Sequence, residues 1–329
     1  MIRVEDLVFD YPGFRALDGV SFSVEPHSIT ALVGPNGAGK TTLLNCMAGL
    51  ALPAAGRVLL DDIDVHRVPR EAHAHMGYLA DFFGLYAELT VRRCLDYRAR
   101  AQGIASEGRA AAVQLAAERL GLADRLEQRA GELSRGLRQR LAIAQAIVHK
   151  PAVILLDEPA SGLDPEARFG LAAVLRALRD EGMTLVVSSH ILAELDDYST
   201  HLLVLEQGRV LEHRALDGAV AQDGARRFEL ILAEPRGDLA AVLAAAGADN
   251  VRIEGATAHF DAIGGGAAQV ALLRRLIEAG LPVASFAAAR SDLQDAYLTL
   301  LKDSRVRLQE PAAVNGTTIR GREGAGPRA

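Results

Sequence analysis

Gly34, Gly39, Lys40 and Thr41, in "GPNGAGKTT", stand at the spacing G-x-x-x-x-G-K-T. Glycines let such a turn curl until successive backbone N–H groups point inward at phosphate oxygens. A helix beginning there adds the positive end of its dipole at the same spot. Lys40 can then reach the β- and γ-phosphates of a nucleoside triphosphate, and the Thr41 hydroxyl can hold Mg²⁺. The expected phosphate cradle runs through Gly34, Pro35, Asn36, Gly37, Ala38, Gly39, Lys40, Thr41 and Thr42.

A second set of groups ends apolar runs. "AVILLDEP" delivers Asp157 and Glu158 to the carboxyl end of a strand with no polar residue before them. Two acids there are costly unless a cation or a reacting group meets them. Beside a phosphate loop the first acid supports Mg²⁺, so Asp157 takes that role. Glu158 is then placed to orient or deprotonate an attacking water. Read alone, the pair is two acids at a solvated strand end. His190 closes another such run, "TLVVSSH". A lone histidine at a strand end is ordinarily a surface residue; here it would be the third polar group at one sheet edge, where open α/β sheets bind ligands.

"ELSRGLRQRLAIAQAIVHKP" opens a helix. Leu137, Leu141, Ala144 and Val148 recur at helical spacing and Pro151 closes the run. Ser134 reads as its N-cap, accepting from the first free N–H groups.

The elements that must position these groups follow from texture. Ile2 to about Leu60 reads as strands broken by turns, with one helix opening at Lys40. From about Arg92 to Leu126 Ala, Leu, Glu and Arg dominate, a helical block. Strand runs return at "AVILLD", "TLVVSSH" and "HLLVLEQGRVL", with the helix "ARFGLAAVLRALRDEG" between the first two. Strands alternating with helices predict a parallel sheet covered on both faces. After about Gly218 the order becomes βαββαβ, the ferredoxin-like split unit, from "RFELILAE" through "PVASFAAA". A helix, "DLQDAYLTLLK", follows. From Ser304 five Arg stand against two Glu among few large apolar residues, which predicts a disordered tail. The expected organisation is 1–217, with a helical subdomain at about 84–150, then a small α+β domain at 218–303 and the tail at 304–329.

The 329 residues allow one large domain plus a smaller one, and the apolar half of the chain can build a sizeable core. A net charge of −6 and no Trp argue against a nucleic-acid partner, which a basic face would announce. Cys46 and Cys94 have no metal spacing, and the thiol usage fits a reducing cytoplasm. Cys46 lies in an apolar helical run as core filler. His73 and His75 lack a third ligand and are assigned no metal. No signal peptide or bilayer-spanning run is visible, so any work at a membrane would pass through a partner.

In their order these motifs resemble the ATP-binding subunit of an ABC transporter, over about residues 1 to 215. "GPNGAGKTT" resembles Walker A, "AVILLDEP" Walker B, "SGLDP" the D-loop, His190 the switch histidine and "LSRGLRQR" the ABC signature. The resemblance implies a P-loop ABC ATPase fold, a mixed sheet with a helical subdomain, and ATP with Mg²⁺ as the bound species. It implies that Ser134, Gly136 and Asp164 act across a head-to-tail dimer, on nucleotide held by a second copy or a homologous ATPase subunit. Catalysis would rest on Glu158, His190 and Lys40, and the metal on Thr41 and Asp157. Tyr11 sits where the family stacks an aromatic ring on adenine; from residues alone it is equally an ordinary strand aromatic.

Two departures stand out. Arg135 and Leu137 replace glycine and glutamine of the usual Leu-Ser-Gly-Gly-Gln. Asp81, in "MGYLADFFGLY", stands where the family commonly has glutamine; it either approaches Mg²⁺ or only stabilises a turn. Phe82, Phe83, Leu85 and Tyr86 form either a local core or, by the resemblance, part of a groove for a helix of a transmembrane permease subunit. The implied setting is the inner face of the cell membrane, reached through that permease, and the extra carboxyl-terminal domain resembles exporters with a separate membrane subunit. Two other readings are a soluble ABC ATPase acting on ribosome or DNA, and a nucleotide-sensing regulatory module.

Overall fold

Ile29–Val33 (β3) is buried at all five positions. It pairs in parallel with Thr184–Ser189 (β8) on one side and His201–Glu206 (β9) on the other. An apolar run with no alternation forms a strand covered on both faces, and β3 sits centrally for that reason. The computed structural model describes residues 2–81, 84–191, 195, 198–216, 225–263 and 266–288. The expected helix at 292–302, the tail at 304–329, the boundary at 217/218, and Phe82 and Phe83 lie outside them.

The sheet has six strands in the order β10-β9-β3-β8-β7-β6, with Met76–Leu79 (β6), Val153–Leu156 (β7) and Arg209–Ala215 (β10). Strands β6, β7, β8, β3 and β9 are parallel. The run "HLLVLEQGRVL" is not one strand but a hairpin, β9 to β10. Its turn is Gln207-Gly208, with φ of +48° and +75°, the two positive angles that let a two-residue loop match the strand twist.

Ile2–Tyr11 (β1), Phe14–Val24 (β2), Ala55–Leu60 (β4) and Ile63–Asp64 (β5) form a second, antiparallel sheet in the order β2-β1-β4-β5. Between the sheets lies Lys40–Met47 (α1), whose Leu43, Leu44, Cys46 and Met47 join Ile2, Leu7, Leu32 and Leu203 in one core. The free Cys46 thiol is buried there, and burial pushes its pKa up to about 12. It fills space, as expected of a buried free cysteine.

A larger core lies on the other face of the six-stranded sheet. Val91–Ala101 (α3), Ser106–Arg119 (α4), Arg135–Ile147 (α5) and Pro165–Asp180 (α6) supply it, with Leu95, Leu141, Ile143 and Leu175 fully buried. A third sheet pairs Asp249–Glu254 (β12), Thr257–Ile263 (β13), Ala225–Leu232 (β11) and Val283–Ala288 (β14) in that order, all antiparallel. With the helices Leu239–Ala245 and Gly266–Glu278 its element order is βαββαβ, and Phe228, Phe260 and Leu276 form its own core. The whole is a mixed α/β architecture. Among the described residues no helix is long and apolar enough to cross a membrane.

Candidate functional site

Three loops meet the carboxyl ends of β3, β7 and β8. β3 gives way at Gly34 to a glycine-rich loop, β7 ends in the acids that begin at Asp157, and β8 passes from Val187 through Ser188 and Ser189 to His190.

The loop after β3 is shaped by its glycines. A side chain at Gly34 would put Cβ 2.1 Å from the Leu205 carbonyl oxygen, so the backbone passes hard against β9. Gly39 has φ +105° and packs on the Ala16 carbonyl in the same way. α1 begins at Lys40 with no side-chain cap and no acid in its first turn. Its first N–H groups and positive dipole end are therefore left to an external anion. Lys40 is buried, and its Nζ donates to the Gly34 carbonyl at 2.8 Å and the Pro35 carbonyl at 3.3 Å. Burial lowers its pKa, against the pull of Glu158 and Asp157. Thr41 is exposed and Thr42 buried.

Asp157 is almost wholly buried, at 1% exposure. Oδ1 accepts from the Ser188 hydroxyl at 2.5 Å, whereas Oδ2 is buried without a hydrogen-bond partner. A buried carboxylate oxygen with no donor is costly, and the missing partner suits a cation: the donor set of Asp157 with the Thr41 hydroxyl is the hard-oxygen kind that Mg²⁺ takes. Glu158 follows in the left-handed region, φ +48°. That angle is rare for a residue with a Cβ, and it is held by Ser188, whose Oγ accepts from the Glu158 N–H at 2.9 Å. The Glu158 carboxylate meets His190, Oε2 to Nδ1, at 2.7 Å. The sequence-derived residues Lys40, Asp157, Glu158 and His190 thus come together.

Ser188 is the residue the sequence reading missed. Its one hydroxyl positions both acids. The signal was the serine pair in "TLVVSSH", which register sets beside the acids because Val187 is opposite Leu156. Ser188→Ala is expected to cost about 1–3 kcal/mol of stability, the range for leaving a buried carboxylate oxygen without its donor. Urea unfolding checks this, and a midpoint unchanged from the parent would show the hydroxyl to be dispensable.

Tyr11, at the end of β1, is about half exposed. Its ring meets Phe9 edge to face at 4.9 Å and its hydroxyl lies 3.4 Å from Thr42 Oγ1. An exposed ring anchored beside the phosphate loop is available for stacking. Asp81 is exposed at a bend after β6. Burial raises the nearby Tyr78 phenol to about 12, with the charges of Asp157 and then Asp81 adding to it. Of the apolar cluster beyond it, Leu85 packs on the large core, while Tyr86 is exposed and meets Tyr97 edge to face. His73 Nε2 lies 2.8 Å from the Ala48 carbonyl, a structural contact.

Ser134, Gly136 and Asp164 gather in a separate place. Ser134 caps α5, Oγ accepting from Leu137 N–H at 3.3 Å. Asp164 caps α6, Oδ1 accepting from Ala167 N–H at 2.8 Å. Gly136 abuts Ala167, where a Cβ would come within 2.9 Å of the alanine methyl. The Gly136–Ala167 contact lays the start of α5 against the first turn of α6. Arg135 is the first residue of α5, so the unusual arginine takes ordinary helical angles.

Comparison with known proteins adds three findings. A family model described as "ABC transporter" matches residues 17–161. The chain is 31% identical to the daunorubicin resistance ATP-binding protein DrrA3 of Streptomyces coeruleorubidus, over 94% of this chain and 98% of that one. It is 35% identical to the Nod factor export ATP-binding protein I of Paraburkholderia xenovorans, over 68% of this chain and 73% of that one. Among solved structures, the ATP binding subunit of an ABC transporter superposes with a TM-score of 0.59 at 29% identity, covering 66% of this chain and 91% of that one.

Proposed function

This chain belongs to the ABC transporter family, and we propose that it works as one of two ATPase subunits that close head to tail over two ATP molecules. It is the ATP-binding, ATP-hydrolysing subunit of a transporter. Two relatives are named for drug resistance and for export, which supports an exporter; in this reading the chain sits at the membrane's inner face, held there by a transmembrane permease that is a separate polypeptide.

The observation that carries the reading is the meeting of Lys40, Asp157, Glu158 and His190 at one sheet edge, with Asp157 Oδ2 left unpaired. The phosphate loop binds the triphosphate through its N–H groups and Lys40, and Tyr11 stacks on adenine. Asp157 and Thr41 would hold Mg²⁺, with Asp81 a further candidate; the ion supplies charge neutralisation on the phosphate oxygens. Glu158 takes the proton from the attacking water. His190, oriented by the 2.7 Å contact with Glu158, holds the γ-phosphate.

Ser134, Gly136 and Asp164 then complete the partner subunit's site, the end of α5 offering its N-terminal dipole to the γ-phosphate. Inside the chain the Ser134 and Asp164 oxygens cap helices, and capping is what aims those helix ends. The exposed Tyr86, backed by Leu85 on the core, is offered to a permease helix in this reading. The alternatives of a ribosome- or DNA-acting ATPase and of a sensing module have no comparable support.

Pairing is the test. The full-length Glu158→Gln variant with ATP and Mg²⁺ is expected to double in mass by light scattering and to return to single subunits when the nucleotide is removed. Particles that stay single, even with the permease present, would sink the two-subunit reading.

A further inference from the structure

We propose that Arg135 is a positioning residue that binds the Ser161–Gly162 turn to the start of α5, so that Ser134, Gly136 and Asp164 approach a second subunit as one body. The proposal rests on the head-to-tail reading above and adds a part to it.

The contact is specific. Arg135 Nη2 donates to the Ser161 carbonyl at 3.1 Å. The guanidinium rests directly on Gly162, where an added Cβ would lie 2.2 Å from Nη2 and 2.4 Å from Cζ. Gly162 also has φ +66°, the angle that favours glycine, and a methyl there would displace the guanidinium from its seat. Two more seats follow along the same pair of helices. Gly136 of α5 meets Ala167, and Arg140 of α5 lies over Gly170, its Nη2 2.4 Å from where a Cβ would be. Ala167 is in turn the residue whose N–H Asp164 caps. The turn before α6 and its first two turns are therefore laid against α5 at these three points, and of the three the Arg135 contact is the one on the loop itself.

Helix electrostatics do not account for an arginine here. A cation in the first turn opposes the dipole, and Arg135 is exposed, so no burial compensates. What the side chain gains is the charge-assisted hydrogen bond to Ser161 and the packing on Gly162. Both of its ends carry groups assigned to the partner's nucleotide: Ser134 and Gly136 beside it, Asp164 two residues beyond Gly162. Holding these segments in one geometry before docking lowers the ordering cost of the closed pair.

The experiment uses the full chain in the Glu158→Gln background, so that ATP is held rather than hydrolysed. Arg135→Met, which keeps the stem and loses the fork, is expected to raise the ATP concentration for half-maximal pairing about tenfold, the scale of one charge-assisted hydrogen bond. A fluorescent ATP analogue on dilute, unpaired subunits should bind within about twofold of the parent, because distant sites act independently. That split is what a general loss of structure would not give. Gly162→Ala should produce a comparable shift, and the double variant should be no worse than the poorer single one. A pairing midpoint unmoved by Arg135→Met overturns the proposal, as do additive effects of the two substitutions, which would leave only the arginine's charge. A Glu158→Gln parent that never pairs is a different failure, visible before Arg135 is touched; it removes the two-subunit reading and this proposal with it.

Discussion

Glu158→Gln is expected to slow ATP hydrolysis about 10²–10⁴-fold, the range for removing a positioned general base, or roughly 3–5 kcal/mol in the barrier. The substitution isolates that role because it disturbs little else. The glutamine side chain has the same length, and its amide oxygen can still accept from His190 Nδ1 as the carboxylate does at 2.7 Å. The backbone at this position, φ +48° with its N–H given to Ser188 Oγ, is unaltered. What disappears is the capacity to take a proton from water, since an amide oxygen is a far weaker base than a carboxylate. ATP affinity is expected to stay within about threefold of the parent, because the phosphate loop is untouched. Single-turnover phosphate release separates the two quantities. Turnover kept within threefold would remove Glu158 from its assigned role.

The parts of this site that were legible in the sequence are those whose chemistry is local. Gly34, Gly39, Lys40 and Thr41 announce a cradle because loop, lysine and helix start are consecutive. Asp157 and Glu158 announce themselves because an all-apolar strand that ends in two acids needs a reason. The rest depended on which strands lie side by side, and pairing partners are not written in adjacent residues. That β8 neighbours β7, placing Ser188 under both acids, follows from a crossover through α6. That β1, β2, β4 and β5 make a separate antiparallel sheet, while β3 between them in the chain joins the six-stranded one, needed pairings such as Ile2 with Val24 and Leu60. "HLLVLEQGRVL" misled for a local reason: Gln207 is a weak turn signal, and only Gly208 beside it marks the reversal. Arg135 read as a departure from a motif; its seat on Gly162, 27 residues away in the chain, is visible only once α5 and α6 pack.

Lys40→Ala is expected to weaken ATP binding about 30- to 1,000-fold, or about 2–4 kcal/mol, the range for losing charged hydrogen bonds to a phosphate in a partly buried site. The ammonium is enclosed, and its hydrogen bonds go to the carbonyls of Gly34 and Pro35 in its own loop. It therefore braces the turn while keeping its charge where the proposed phosphate oxygens would arrive. Desolvation is the largest influence on it and lowers its pKa, with Glu158 and then Asp157 opposing. The sign matters for stability. A lysine whose folded-state pKa is depressed is a charge the folded chain carries at a cost wherever the pH lies below that pKa. Its removal therefore relieves a desolvated charge, which offsets the debits: the two hydrogen bonds, the buried stem and the attraction to Glu158 and Asp157. A large loss of affinity with a nearly unchanged midpoint is the expected pattern by calorimetric titration and urea unfolding. Unchanged nucleotide affinity would remove the phosphate-loop assignment, whereas lost affinity accompanied by a collapsed midpoint would show Lys40 to be a brace for the loop rather than a contact for ATP.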